Sequence, residues 1–93
     1  MTTLKSINRL AAEILVDWKE NPSTARYRYH AFPYVEAMLS LSTCEDRYGL
    51  EYGDMIVAYA LNNLIQWRGP KAREIKALLN QHLKEYNVRH QGA

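Results

Sequence analysis

The sequence has very little of what disulfides, metal centres and membrane spans are built from. Cys44 is its only cysteine, so the chain forms no internal disulfide, and one thiol is too few for a zinc site. No apolar run approaches the ~18 residues that a membrane span requires, and the N-terminal residues lack the apolar stretch of a signal peptide. We therefore expect a cytoplasmic protein without membrane contact.

Motifs of catalysis and cofactor binding are also missing. The sequence contains no phosphate-binding glycine loop, no nucleophile elbow and no dinucleotide fingerprint. His30, His82 and His90 do not have the spacing of metal ligands, and nothing local pairs any of them with Cys44 as a catalytic dyad. We therefore expect a protein that is not an enzyme and that uses no cofactor and no metal.

Charge is unevenly distributed along the 93 residues, which are enough for one domain, 1–93. The net charge is only +2. Residues 31–54 carry five carboxylates against one arginine, whereas residues 68–93 carry six Lys or Arg against two Glu. Such asymmetry orients a charged partner, unless the two halves neutralise each other within the fold.

Apolar residues recur at helical spacing in four segments. The first helix is predicted from Leu4 to Trp18 with Thr2 or Thr3 as cap, and the second from Pro33, which suits a first turn. The third is predicted from Asp54 to Arg68, apolar on two adjacent faces and therefore central. The fourth is predicted over 70–86, after a turn at Gly69, with a frayed tail at 87–93.

The segment 21–32 is ambiguous and reads as a loop or a short helix. A strand is disfavoured because no second strand is evident to pair with it. The predicted fold class is thus all-α: a compact bundle of four helices, or of three long helices and a short one. The segment 42–53 is predicted to be an acidic connector that lies in solvent, receives a basic partner or pairs with the fourth helix.

Two surfaces are candidates for binding a partner. The first is a tract that mixes guanidinium groups with aromatic rings, residue types that are often energetic at interfaces and that also bind phosphates and bases. The second is a basic flank of the fourth helix, which either contacts phosphates or an acidic protein or is an ordinary solvated face. The candidate residues are Arg26, Tyr27, Arg28, Tyr29 and His30 in the tract, and Arg68, Lys71, Arg73, Lys76 and Lys84 in the flank.

The segment from Pro33 to Leu83 resembles a group of short bacterial proteins and proteins of their mobile elements. The resemblance is carried by Pro33-Tyr34, Tyr48-Gly49, Ile56-Val57-Ala58-Tyr59 and Trp67-Arg68-Gly69, with Ala72-Arg73 and Ile75-Lys76 after them. These proteins have no firmly assigned activity, so the resemblance transfers no site residue. It implies a setting among accessory genes of phages, prophages and plasmids, where small proteins often block a host enzyme or regulate transcription.

The leading hypothesis is a non-catalytic protein that docks on a larger macromolecule, a host protein or nucleoprotein complex. Its concrete form is a mobile-element inhibitor of a nucleic-acid-processing or defence complex, such as an anti-CRISPR protein. Mimicry of DNA is disfavoured because a mimic needs an excess of carboxylates. The alternative is a small DNA- or RNA-binding regulator that uses the basic flank.

Overall fold

Helices make up most of the protein, which is described by a computed structural model over residues 4–25 and 28–90, with only the backbone for residues 24 and 25. The predicted all-α fold with four helices is confirmed. Thr2 and Thr3, proposed as a cap, lie outside the described residues. The elements in chain order are α1 (Ile7–Glu20), a 3-10 turn (Pro22–Ala25), α2 (Arg28–Met38), β1 (Arg47–Tyr48), β2 (Glu51–Tyr52), α3 (Gly53–Asn62) and α4 (Pro70–Arg89).

The helices enclose one apolar core. α1 packs against α2 and α4, and α3 packs against α2, α4 and β2. α3 is thus packed on several sides, as its two apolar faces predicted. The largest side chains that are fully buried come from all four helices and from the loops between them. They are Ile7, Leu10, Ile14, Val35, Met38, Leu41, Ile56, Val57, Leu64, Ile75 and Leu79.

The start of α1 differs from the prediction because its cap is a distant loop. The backbone N–H of Ile7 donates to the carbonyl of Ser42 at 2.9 Å, and that of Asn8 donates to Leu41 at 2.7 Å. These bonds satisfy two of the first N–H groups of the helix, which have no acceptor within it. α1 therefore begins at Ile7 instead of Leu4, and it continues past Trp18 to Glu20.

The start of α2 corrects the role predicted for Pro33. The helix begins at Arg28, so Pro33 lies inside it and not in its first turn. Ala31, Val35 and Met38 are all fully buried and follow one another at four- and three-residue steps. Burial of Ala31 on this stripe requires helical geometry before the proline. A residue that precedes proline disfavours helical geometry, but tertiary packing outweighs that preference here.

The end of α3 also differs, because the helix stops at Asn62 and does not reach Arg68. The side-chain amide of Asn63 donates to the carbonyl of Tyr59 at 2.8 Å, so it competes for an acceptor of the helical ladder. Two tight turns follow, in which Leu64 and Trp67 are buried. Ile65 is an apolar residue within the helix predicted from Asp54 to Arg68, yet it lies beyond the end of α3 and is 64% exposed.

Two further differences concern the connector and the C-terminal helix. Residues 47–52 form a small antiparallel hairpin, with Arg47 opposite Tyr52. α4 begins at Pro70 as predicted, but it continues to Arg89, three residues beyond the predicted end at Tyr86. Of the tail predicted to fray, residues 87–89 are therefore helical, and residues 91–93 lie outside the described part of the chain.

Candidate docking surface

The Arg/Tyr tract is placed at the beginning of α2. Arg28, Tyr29 and His30 form its first turn, and Arg26 and Tyr27 lie outside the described residues. The Tyr29 ring is 75% exposed, and the Arg28 guanidinium carbon lies 5.0 Å from its centroid. This distance is within the range of a cation–π contact. Tyr29 therefore presents most of a ring to solvent, beside a cation.

Two of the five predicted cations of the basic flank are engaged inside the protein. The Lys71 ammonium lies 2.8 Å from a carboxylate oxygen of Glu13 and 3.9 Å from one of Glu74. The Lys76 ammonium donates to the backbone carbonyl of Trp67 at 2.5 Å. Lys71 thus ties α4 to α1, and Lys76 ties α4 to the turn that precedes it.

The surroundings of these two lysines shift their pKa values in opposite directions. The hydrogen bond to Glu13 raises the pKa of Lys71. Burial lowers the pKa of Lys76, and the nearby Arg68 lowers it further. Lys76 therefore sits in a locally positive environment.

The other three cations of the flank have no carboxylate partner among the described residues. Arg68, Arg73 and Lys84 are exposed and form no ion pair with any other residue that the structure describes. At 100° per residue, Glu74 and Glu85 lie on the neighbouring face of α4, away from Arg73 and Lys84. We call the carboxylate-free line along the helix the α4 stripe; it consists of Arg73, Lys76, Asn80, Lys84 and Asn87.

An open cleft of about 530 Å³ lies where the α4 stripe begins. Three cations line it, and no carboxylate does. Arginine guanidinium groups in such a place can each hold a carboxylate or phosphate through two parallel hydrogen bonds. The lining residues are Ile65, Trp67, Arg68, Gly69, Ala72, Arg73 and Lys76.

Ile65 also lines a second cleft, of about 320 Å³, on the side of α2. The rest of its lining is His30, which comes from the Arg/Tyr tract, and the three amide side chains of Asn62, Asn63 and Gln66. Ile65 therefore joins the beginning of the basic flank to His30 of the Arg/Tyr tract. We define the Ile65 surface as the lining of both clefts, whose central side chains are Ile65, His30, Asn62, Asn63, Gln66, Arg68 and Arg73.

A third concavity lies at the far end of the α4 stripe. Its lining combines one exposed cation, Lys84, with amide and apolar groups, and Val88 there is 61% exposed. The stripe thus has a cation beside an exposed aliphatic side chain at both ends. The residues of this concavity are Asn80, Leu83, Lys84, Asn87 and Val88.

The acidic connector is partly neutralised by α4. A carboxylate oxygen of Glu45 lies 3.2 Å from Nε of Arg89 and 3.0 Å from Nε2 of His90, and the hydrogen bond from His90 is the main cause of a lowered pKa of Glu45. Asp46 accepts hydrogen bonds from the backbone N–H groups of Ser42 and Thr43. Three alternatives were predicted for the connector: solvent exposure, a basic partner, or pairing with the fourth helix. Glu45 shows the third.

Cys44 and His82, two groups of the kind used in nucleophilic or metal chemistry, are buried. Cys44 is buried, and loss of hydration raises the pKa of its thiol to about 11. Because the thiolate is the reactive form, this thiol is a poor nucleophile at neutral pH. Nε2 of the buried His82 lies 2.6 Å from the carbonyl of Lys5. Within residues 4–25 and 28–90, no cluster of three or more His, Cys, Asp or Glu could hold a metal ion.

Sequence reasoning missed the exposed apolar residues Ile65, Val88 and Leu50. Leu50, at the tip of the hairpin, is 94% exposed, and Tyr48 and Tyr52 in the two strands are exposed as well. The Asn62-Asn63 pair was a signal for Ile65, because asparagine amides compete with helical hydrogen bonds. No comparable signal marks Leu50, whose place depends on the hairpin.

Comparison with family models, curated proteins and solved structures gives no match to this chain. Among the helices that the structure describes, none is long and apolar enough to cross a membrane.

Proposed function

We propose that the protein is a non-catalytic binding protein that docks on a protein partner through the Ile65 surface. The observation that carries the proposal is the position of Ile65, 64% exposed between a cationic cleft and an amide-lined cleft. An aliphatic anchor rimmed by arginines and amides has the composition of a protein interface, with an apolar centre and a polar rim.

Docking would cover the exposed part of Ile65, and this burial would contribute to the free energy of binding. Complete burial of an aliphatic side chain is worth about 1.5–3 kcal/mol, so covering the exposed part of Ile65 is worth about 1–2 kcal/mol. Arg68 and Arg73 add charge-assisted hydrogen bonds on one side. Arginine is among the residues most often found at the energetic centres of interfaces.

The biological form of the proposal is an inhibitor encoded by a mobile element, which blocks a host nucleic-acid-processing or defence complex by occupying part of its surface. Its support is the resemblance of the segment Pro33–Leu83 to short proteins of phages and plasmids. The residues of the Ile65 surface fall within that segment, apart from His30. An anti-CRISPR protein is one such inhibitor.

Direct binding of nucleic acid is the second candidate, favoured by the absence of carboxylates along the α4 stripe. Its weakness is the number of free cations. Affinity for duplex DNA grows with the number of phosphates that are neutralised, and only Arg68, Arg73 and Lys84 are exposed and without an acid partner on this flank. We therefore rank this function below protein docking.

The test is an affinity pull-down from a bacterial lysate with the tagged protein, with and without nuclease. Three baits are compared: the wild type, Ile65→Asp and the double variant Arg68→Ala with Arg73→Ala. Docking predicts a protein that survives nuclease treatment and is lost with both variants. The matched control is Val16→Asp, which makes the same change at an exposed aliphatic residue elsewhere, on α1. This variant should still capture the partner. Retention by Ile65→Asp contradicts the proposal.

A further inference from the structure

The geometry points to one complement for this surface: an acidic amphipathic helix of a protein partner, lying along the α4 stripe. This inference rests on the proposed function and adds the chemistry and shape of what docks. It is carried by the spacing of the cations, by the absence of acids among them, and by exposed aliphatic groups at both ends of the stripe.

The spacing of the stripe is that of a helix face. Arg73 and Lys84 are eleven positions apart, which is about 16 Å at 1.5 Å per residue. A helix laid beside α4 rises by the same amount per residue. Carboxylates at three- and four-residue steps on one face of that helix would therefore meet the cations over several turns, as charged flanking residues do in coiled coils.

Charge determines the sign of the partner. Neither the cleft at the beginning of the α4 stripe nor the concavity at its far end has a carboxylate in its lining, so an incoming acid meets no like charge there. Lys76 adds positive potential from within, because its ammonium is held at the carbonyl of Trp67. A basic or neutral segment would leave Arg68 and Arg73 without partners at the contact, and a neutral one would also desolvate them, which is costly.

The apolar groups favour a protein over a nucleic acid. Ile65 lines the cleft at the beginning of α4, and Val88 lines the concavity near its end. Both are more than half exposed. A phosphodiester backbone offers them no aliphatic contact, whereas an amphipathic helix presents Leu or Ile beside its acids.

A selection from a random library of 16-residue peptides, displayed on phage, tests this inference. The bait is the full protein, and counter-selection uses the double variant Arg73→Ala with Lys84→Ala. We expect enriched peptides with Asp or Glu at three- and four-residue steps and with Leu, Ile or Phe next to them. We also expect at least a tenfold loss of their affinity for the double variant, measured by fluorescence anisotropy.

The control is Arg9→Ala with Lys19→Ala, which removes the same charge from α1 and leaves the affinity within twofold. Enriched peptides without acids, peptides bound equally by the double variant, or no enrichment would overturn the inference. Tighter binding of a single-stranded or duplex oligonucleotide, lost in the double variant, would replace it with nucleic-acid binding. If the pull-down partner is lost with Ile65→Asp while no acidic helix binds, docking stands and this inference falls.

Discussion

The indole nitrogen of Trp67 donates a hydrogen bond of 2.8 Å to a carboxylate oxygen of Asp17, fifty residues earlier in the chain. The same indole meets the ring of Trp18 edge to face, with centroids 6.3 Å apart. The backbone carbonyl of Trp67 accepts the Lys76 ammonium. Trp67 therefore connects α1, the turn after α3 and α4, directly beneath the cationic cleft.

Trp67→Ala is expected to lower the free energy of unfolding by about 3–5 kcal/mol, since the side chain is only 3% exposed and its removal leaves a cavity. Urea denaturation followed by circular dichroism measures the loss. Trp67→Phe keeps most of the ring but not the hydrogen bond to Asp17, so we expect it to cost about 1–3 kcal/mol. A loss below about 1 kcal/mol in Trp67→Ala would contradict the burial of the ring.

The sequence predicted α1 and α4 well, because the apolar stripe of each helix determines which of its residues are buried. The apolar steps from Leu4 to Trp18 and from Ala72 to Tyr86 predicted the core faces of α1 and α4, and the structure buries most of those residues. The exceptions, which are only partly buried, are Leu4, Leu15, Leu83 and Tyr86. Helical period and apolar burial act together there, so local pattern and tertiary packing agree.

The predicted helix boundaries are wrong where a contact with a distant part of the chain determines them. The cap of α1 is supplied by the carbonyls of Leu41 and Ser42, which no pattern near Ile7 reveals. Pro33 is helical because packing of Ala31 outweighs a local preference. For the candidate surface, the sequence identified the cations, but it could not distinguish Arg73 from Lys71, since only the fold brings Glu13 to Lys71.

Stability should fall in acid because of Glu13. The hydrogen bond to Lys71 lowers its pKa below the ordinary value of 4.5, and Lys5 also contributes, against the opposing effect of burial. A carboxyl whose pKa is lowered by folding stabilises the protein above its unfolded pKa, and this stability is lost as pH falls through the folded pKa. We expect Glu13→Gln to flatten the decline in unfolding free energy below about pH 4.5. Urea titrations from pH 7 to pH 3 measure it.

Glu20→Gln is the matched control for that experiment. Glu20 lies on the same helix, is exposed, and forms no ion pair with another residue of the described chain. Its replacement should leave the acid-induced decline as it is in the wild type. An equal flattening by Glu20→Gln would show that the general charge of α1, and not the contact with Lys71, causes the effect.

Gly53→Ala should destabilise the junction between the hairpin and α3. A Cβ on Gly53 would lie 2.6 Å from the carbonyl oxygen of Asp46 and 2.8 Å from that of Cys44, and both are backbone atoms. Forced shifts of this kind cost about 1–3 kcal/mol. Thermal melting measures the change. Gly49→Ala is the comparison: its φ of +62° is unfavourable for alanine but no atom is near, so we expect about 1–2 kcal/mol from backbone strain alone.

Substitutions in the Arg/Tyr tract should separate binding from folding. Tyr29 is 75% exposed, so Tyr29→Ala should change the free energy of unfolding by no more than about 0.5 kcal/mol. The sequence predicts an equally small change for Arg26→Ala with Arg28→Ala, because unpaired charges are seldom buried in a small core. Binding to the pull-down partner should weaken by about 2 kcal/mol for each residue that is a hot spot. Tyr34→Ala, which removes a partly buried ring 5.7 Å from that of Tyr59, is the control and should lower stability. Full affinity in the double arginine variant would make this tract an ordinary solvated turn.

Binding to duplex DNA should be weak and strongly dependent on salt. Three phosphate contacts, from Arg68, Arg73 and Lys84, give a slope of about −2.7 in log affinity against log salt, or about a fortyfold loss between 50 and 200 mM. Fluorescence anisotropy with a labelled duplex measures the slope. Replacement of all three by alanine should bring it close to zero, whereas Arg9→Ala with Lys19→Ala should leave it nearly unchanged. A slope as steep as −6 would require cations beyond these three, and the α4 stripe would then be a nucleic-acid interface. Without such a slope, the carboxylate-free face of α4 is better explained by an acidic protein, whose apolar side chains can also cover Ile65.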